Sequence, residues 1–388
     1  MTDTEHPLAP KVRAALRQVQ DPELRRPITD LGMVDSVQID GSGFVAVKVL
    51  LTTAGCPLRV RITADVEEVV GAVEGVTGVA VELGVMDDEQ RGALRSVLSG
   101  GSPVHENPFA RADSLTRVIA VASGKGGVGK SSVTANLACA LAGLGLNVGL
   151  LDADVYGHSI PDLLGVPEGE GPTQVEGVDI IIPLEIQGLK VMSIGMMKPD
   201  REQVVAWRGP IVSRSVEQFL TDVYWGDLDF LLIDLPPGTG DVALSIGQSL
   251  PNSEVVVVTT PQQAATEVAE RAGTMASLMH QKIIGVVENM SHLMVECPDC
   301  GRSQRVDVFG SGGGARVAES LTRRLGYDVP LLAEIPLDLD WRAAGDAGTP
   351  LVTLNSSRPS AAAVSGLAQR LAATKRGLAG RRLDLNPA

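Results

Sequence analysis

The sequence predicts an α/β protein in which a mostly parallel sheet is covered by helices on both faces, preceded by a small N-terminal α+β domain. Two observations predict the large part: from Arg117 onward, short runs that are apolar throughout alternate with helix-length segments, and such runs are the mark of parallel strands buried on both sides. A third sets the division, because Gly100-Gly-Ser-Pro-Val-His-Glu-Asn-Pro108 lacks apolar periodicity and reads as a linker. At about 150 residues per domain, the 388 residues allow two to three domains.

In the N-terminal part, residues 1–100, the apolar spacing predicts helix 9–19, strands 33–39 and 44–52, helix 58–72, strand 77–84 and helix 88–98. Asp40-Gly-Ser-Gly43 joins the first two strands as a hairpin turn. Phe44 is the one aromatic here, so this core is expected to be aliphatic. After a linker at 101–114, the second domain spans 115–388, with strands expected at 118–122, 148–151, 191–194, 230–233, 255–258, 283–287 and 331–335.

Composition narrows the function classes. Lys plus Arg number 33 against 47 for Asp plus Glu, a net charge of −14, which repels phosphate backbones and anionic lipid, so neither nucleic acid nor membrane is an expected partner. The longest nearly apolar stretch, Leu137 to Leu151, is broken by three glycines and Asn147, whereas a spanning helix needs about 20 apolar residues. No basic region leads into an apolar one at the start, so no signal peptide is expected and the reading is a cytoplasmic chain. Four cysteines are too few for a secreted disulfide framework.

The chemistry begins after the first strand of the second domain. Ser123-Gly-Lys-Gly-Gly-Val-Gly-Lys-Ser131 satisfies G-x-x-x-x-G-K-S, with a helical pattern directly behind it, which makes the domain a P-loop NTPase. Gly124, Gly126, Gly127, Val128 and Gly129 let the backbone wrap with its N–H groups inward. Lys130 reaches the outer phosphates, Ser131 ligates magnesium, and Ser132 continues the cradle. Two carboxylates, Asp152 and Asp154, end the next strand at the sheet edge where open α/β folds bind ligands: Asp154 is expected to position the attacking water and Asp152 to support magnesium. Asp234, ending Phe230-Leu-Leu-Ile-Asp234, is expected to hold the magnesium-bound water, and Gly238 to offer an N–H to the γ-phosphate.

Cys297-Pro-Asp-Cys-Gly301 has the form of a metal knuckle, in which turns after each thiolate aim N–H groups at the sulfurs. One chain supplies two ligands there, so a four-thiolate site would be shared across a two-fold axis. Iron-sulfur cluster, zinc and a redox dithiol all remain open at this point, although Gly301-Arg-Ser303 replaces the helix that a thioredoxin-like dithiol expects. Cys139 falls on the apolar face of the P-loop helix and reads as a plain buried residue.

Lys125 adds what the plain motif does not require, and with it the loop resembles the deviant Walker A form, K-G-G-x-G-K-[ST]. Taken in order with Asp152-Ala-Asp-Val-Tyr-Gly157, Trp207-Arg-Gly-Pro210, Asp234-Leu-Pro-Pro-Gly-Thr-Gly-Asp241, Glu288-Asn-Met-Ser291 and Phe309-Gly310, it resembles the Mrp/ApbC-type iron-sulfur carrier ATPases of the MinD/ParA superfamily over residues 115–350. Asp21-Pro-Glu-Leu24, Asp30-Leu-Gly32 and Thr53-Ala-Gly-Cys-Pro57 make the N-terminal part similar to the iron-sulfur assembly-type domain often fused to them.

The resemblance implies a homodimer in which Lys125 reaches the partner's nucleotide and Asn289 recognises adenine. It implies ATP as the nucleotide, with Lys125, Lys130 and Asp154 as catalytic residues, and because no strong general base is visible near the phosphate site, hydrolysis with Mg2+ as cofactor is expected to be slow. Cys297 and Cys300 of both subunits would hold a [4Fe-4S] cluster passed from a cluster donor to apo client proteins, with Cys56 as a candidate auxiliary thiol. His158 departs from the proline usual in the family. Rival readings are a positioning ATPase on DNA or membrane, a structural zinc clasp, and nitrogenase-reductase-like electron transfer. The first needs an amphipathic terminal helix with large apolar residues, where Ala361 to Lys375 offers mainly alanine with Val364, Leu367 and Leu371.

Overall fold

The computed structural model describes residues 6–53, 58–98, 107–111, 113–154, 157, 159–175, 177–197, 209–354 and 357–374. The chain forms two compact units, and the boundary is not the single cut expected near residue 100: residues 173–182 and 222–224 belong with the N-terminal unit, and the second unit starts at Asn107.

In the first unit, Val34–Ile39 and Phe44–Leu51 form the expected hairpin. Its turn is tied by Asp40, whose Oδ1 accepts from the backbone N–H groups of Ser42 at 2.8 Å and Phe44 at 3.0 Å. Helix Arg59–Gly71 then carries the chain over to Gly78–Val85, which pairs parallel with Phe44–Leu51. The core is aliphatic, with Val12, Ile28, Val45, Val49, Ile62 and Val66 at 0% exposure. Val175, Val178 and Ile180 come to this core from the small hairpin Thr173–Val175/Ile180–Ile182, and Arg95 holds it through Val178 O at 2.7 Å and Asp179 at 2.8 Å. Three-residue strands carry too little periodicity to announce such a long-range assignment.

In the second unit the sheet runs in the order Ser303–Val306, Lys282–Glu296, Glu254–Thr259, Arg117–Ser123, Phe230–Asp234, Val148–Asp152, Leu189–Ser193, Leu184–Ile186, and Leu331–Leu337 also pairs with Lys282–Glu296. All pairings are parallel except those of the two outermost strands on this path, Ser303–Val306 and Leu184–Ile186. Phe230–Asp234 and Val148–Asp152 are buried at every position, as strands covered on both faces must be. All seven expected strands are present, but Lys282–Glu296 runs far beyond the 283–287 expected from its apolar run. Its last three residues, Met294, Val295 and Glu296, are exposed, and what extends the strand is antiparallel pairing of Leu293–Glu296 with Ser303–Val306.

One further expectation changes. Asn107 and Phe109, placed in the linker by composition, are built into the second unit: Asn107 Nδ2 donates to Ser249 O at 3.1 Å, and Phe109 meets Trp225 edge to face with centroids 6.4 Å apart. The terminal helix Pro359–Ala373 buries Val364, Leu367 and Leu371 in the main core, so its apolar stripe is already used.

Candidate functional site

The parallel strands end at one edge of the sheet, and the P-loop helix Lys130–Gly143 starts there. Gly129, at φ +77°, supplies the left-handed residue that turns the loop into the helix, a conformation glycine adopts without a Cβ penalty. Lys125 to Ser132 line a cavity of about 680 Å3 together with Ser123, Asp154, Gly157, Ser159, Val212, Pro236, Pro237 and Gly240 to Val242. The helix's N-terminal N–H groups and dipole favour an anion in it.

Beneath the loop lies a buried polar network. Asp234, 0% exposed, accepts from Lys130 Nζ at 2.6 Å and Ser131 Oγ at 2.6 Å on one oxygen, and from Thr134 Oγ1 at 2.7 Å on the other. Asp152, its register neighbour on the adjacent strand, accepts from Ser193 Oγ at 2.9 Å and Asp154 N at 3.1 Å. Burial, then the neighbouring Asp234 charge, push the Asp152 carboxyl up to about 8, against the pull of Ser193, the Asp154 amide and Lys130. Asp154 faces the cavity, its Oδ1 accepting from Gly157 N at 3.1 Å. Ser131, Asp152 and Asp234 are hard oxygen donors of the kind magnesium takes, and Ser131 and Asp234 already lie within 2.6 Å of each other, so the residues present fit that ion.

Three expected residues are engaged in hydrogen bonds within the chain. The Gly238 N–H donates to Ser123 O at 2.9 Å and does not line the cavity. Lys125 Nζ donates to Gln262 Oε1 of its own chain at 3.2 Å. Asn289 lies behind the loop: its Nδ2 donates to Val128 O at 2.9 Å, and its Oδ1 accepts from Met290 N at 3.0 Å. Sequence reasoning passed over Thr134, Ser193 and Gln262. Thr134 stands one helical turn after Lys130 and was findable by that period, while the other two come from distant elements with no local signal.

The cysteine pair closes the hairpin of Leu293–Glu296 with Ser303–Val306. Cys297 N donates to Arg302 O at 3.0 Å and Gly301 N to Cys297 O at 2.9 Å, with Gly301 at φ +66° completing the turn. Cys300 is exposed and Cys297 partly so. Hydrogen bonds from the Cys300 and Asp299 amides, and from the Cys300 thiol, hold the Cys297 thiol below its ordinary range. Among the described residues no three of His, Cys, Asp and Glu cluster as a metal site, so within them this chain contributes two thiols. Cys139 is buried, its thiol pushed up to about 12 by burial alone. Cys56, His158, Trp207 and Arg208 lie outside the described residues.

A parallel sheet with a glycine-wrapped cavity, a lysine at the start of the helix behind it and strand-end carboxylates defines a P-loop NTPase, a nucleotide-hydrolysing class. The chain belongs to the family described as NUBPL iron-transfer P-loop NTPases, whose model matches residues 114–372, and residues 10–83 match the iron-sulfur cluster assembly protein family. It is 53% identical over 376 residues to the iron-sulfur cluster carrier protein of Mycobacterium tuberculosis, covering 97% of this chain and 96% of that one. The protein of the same name from Deinococcus radiodurans is 41% identical, over 92% and 93%. A solved nucleotide-binding protein in complex with ADP from Archaeoglobus fulgidus is 39% identical with a TM-score of 0.51, covering 63% of this chain and 92% of that one. The resemblance drawn from the motifs is borne out in both parts of the chain.

Proposed function

We propose that the protein is an ATP-dependent iron-sulfur cluster carrier that works as a homodimer in the cytoplasm. The observation that carries this reading is the knuckle-shaped hairpin, which offers two thiols, one of them held low by backbone amides, on a strand of the P-loop sheet. Two thiols from each of two chains make the four-thiolate set that a [4Fe-4S] cluster takes, and an exposed position suits a cargo that must arrive from a donor and leave to apo-proteins. The buried stripe of Pro359–Ala373 and the charge of −14 both weigh against a positioning ATPase. Among the described residues no helix is long and apolar enough to cross a membrane.

In this reading the loop amides from Gly124 to Ser132 bind ATP, and Lys130 exchanges Asp234 for the outer phosphates. Ser131, Asp152 and Asp234 would hold magnesium, which when bound neutralises phosphate charge. Asp154 orients the attacking water from the cavity wall. Lys125 leaves Gln262 for the nucleotide of the partner, and Gly238 leaves Ser123 O for the γ-phosphate. Among the described residues no side chain lining the cavity is a strong general base, so turnover is slow and gated by assembly of the dimer.

The test is anaerobic iron-sulfide reconstitution of the wild type and of Cys297→Ala/Cys300→Ala, with iron, sulfide and zinc measured per dimer. About four iron and four sulfide per dimer, lost in the double variant, is the expected result. Stoichiometric zinc without a cluster, or iron retained without these cysteines, sinks the carrier reading.

A further inference from the structure

Asn289 and Cys297 stand on one element: Asn289 lies within the strand Lys282–Glu296, and Cys297 directly follows its last residue. Asn289 is 5% exposed and both ends of its amide are engaged, one with the phosphate loop and one with the next residue of its own strand. The bond to Val128 O spans 161 residues of sequence. A peptide's C=O and N–H point in opposite directions, so fixing Val128 O behind the loop turns the Gly129 N–H away from Asn289, toward the cavity that Gly129 lines. Packing enforces the same arrangement. A Cβ on Gly129 would collide with Asn289 Nδ2 and lie 3.5 Å from Met290 Cε, so the loop glycine rests on two successive side chains of this strand.

Beyond that contact the strand is bent at a defined place. Met290 has φ +55°, a region non-glycine residues rarely enter, and the pairing with Leu331–Leu337 slips register between Asn289 and Leu293. The arm beyond the bend, Leu293–Glu296, pairs with Ser303–Val306 and carries the cysteine turn. The strand is therefore clamped to the phosphate loop on one side of a bend and bears the thiols on the other.

We propose that Asn289 is a positioning residue that orients the Val128–Gly129 peptide for phosphate and, through the bend at Met290, ties the state of that loop to the Cys297–Cys300 hairpin. This deepens the carrier reading and rests on it for its purpose, though the coupling itself is measurable without a cluster. Phosphate drawing on the Gly129 N–H shifts a peptide whose other end is held by Asn289, and the strand passes the shift to the arm.

The experiment uses the full chain without cluster, alkylated by iodoacetamide with and without a saturating non-hydrolysable ATP analogue and magnesium, and reads Cys297 modification by peptide mass spectrometry. The wild type is expected to change its Cys297 rate about fivefold or more on adding nucleotide. Asn289→Ala weakens nucleotide binding about two- to tenfold, and at saturation its Cys297 response disappears. Met290→Gly, which relieves the left-handed residue and is expected to fold, loses most of the Cys297 response at saturating nucleotide. A wild type without a response overturns the proposal. So does Asn289→Ala that retains the full response at saturation, or that alters only the preference for ATP over GTP, as an adenine reader would. A wild type that binds no cluster yet shows the response and its loss in Asn289→Ala overturns the carrier reading and supports the coupling.

Discussion

Lys130 and Cys297 lie in the same folded unit and serve one proposed cycle, yet the protein holds them in opposite ways. Lys130 is 5% exposed, with its charge on a carboxylate that accepts two further hydroxyl bonds, so the phosphate site is locked into the packing of the sheet. Cys297 and Cys300 project on a two-stranded arm whose partner strand Ser303–Val306 is exposed at every residue. A site that must stabilise charge gains from burial and fixed dipoles. A site that must hand on cargo gains from access, and gives up the support of a core.

The difference is broken most sharply by exchanging the two kinds of loss. Lys130→Ala should lower ATP turnover by about a hundredfold or more and, by leaving the buried Asp234 without its cation, cost roughly 3 kcal/mol of stability in urea unfolding followed by tryptophan fluorescence. Cys297→Ser with Cys300→Ser should abolish cluster uptake while moving the same unfolding curve by no more than about 0.5 kcal/mol, as exposed substitutions do. Equal destabilisation by both would show that the hairpin is part of the core after all.

A smaller effect is expected from Thr134→Val, which keeps the shape but removes the hydroxyl that satisfies Asp234 Oδ1, costing about 1–3 kcal/mol in the same assay. The pH dependence sharpens the electrostatic side. Asp152 sits at about 8 in the fold against about 4 unfolded, so between those values the folded state holds a proton that the unfolded chain has lost. Its contribution is complete below pH 4 and fades as the pH climbs toward 8. Without nucleotide or magnesium, the melting temperature should fall across that window less steeply in Asp152→Asn than in the wild type. The mildest contrast is in thiol chemistry: Cys297 should alkylate with an apparent pKa below that of an ordinary thiol, whereas Cys139 should stay unmodified until the unit unfolds.

Much of this was legible in the linear chain. The seven apolar runs, the glycine loop with Lys130 and Ser131, the strand-end Asp152, Asp154 and Asp234, and the Cys297–Cys300 knuckle are all patterns of residues near one another in sequence, and local spacing dictates local geometry. Asn289 was visible as a motif residue, but its orientation was not. Its partner Val128 is 161 residues away, and a side chain's direction depends on which strand lies beside which. Lys125 likewise could not announce Gln262, 137 residues on.

The sequence by itself determined the fold class, the phosphate loop and the cysteine turn, because glycine, lysine and cysteine at short fixed spacings impose their own backbone and chemistry. Only the tertiary structure decided that residues 173–182 and 222–224 complete the N-terminal core, that Lys130 rests on Asp234, and that one bent strand carries both the loop's clamp and the thiols. These depend on contacts between segments about eighty residues or more apart, made when burial of apolar faces brings strand ends together, and no local pattern encodes which ends will meet.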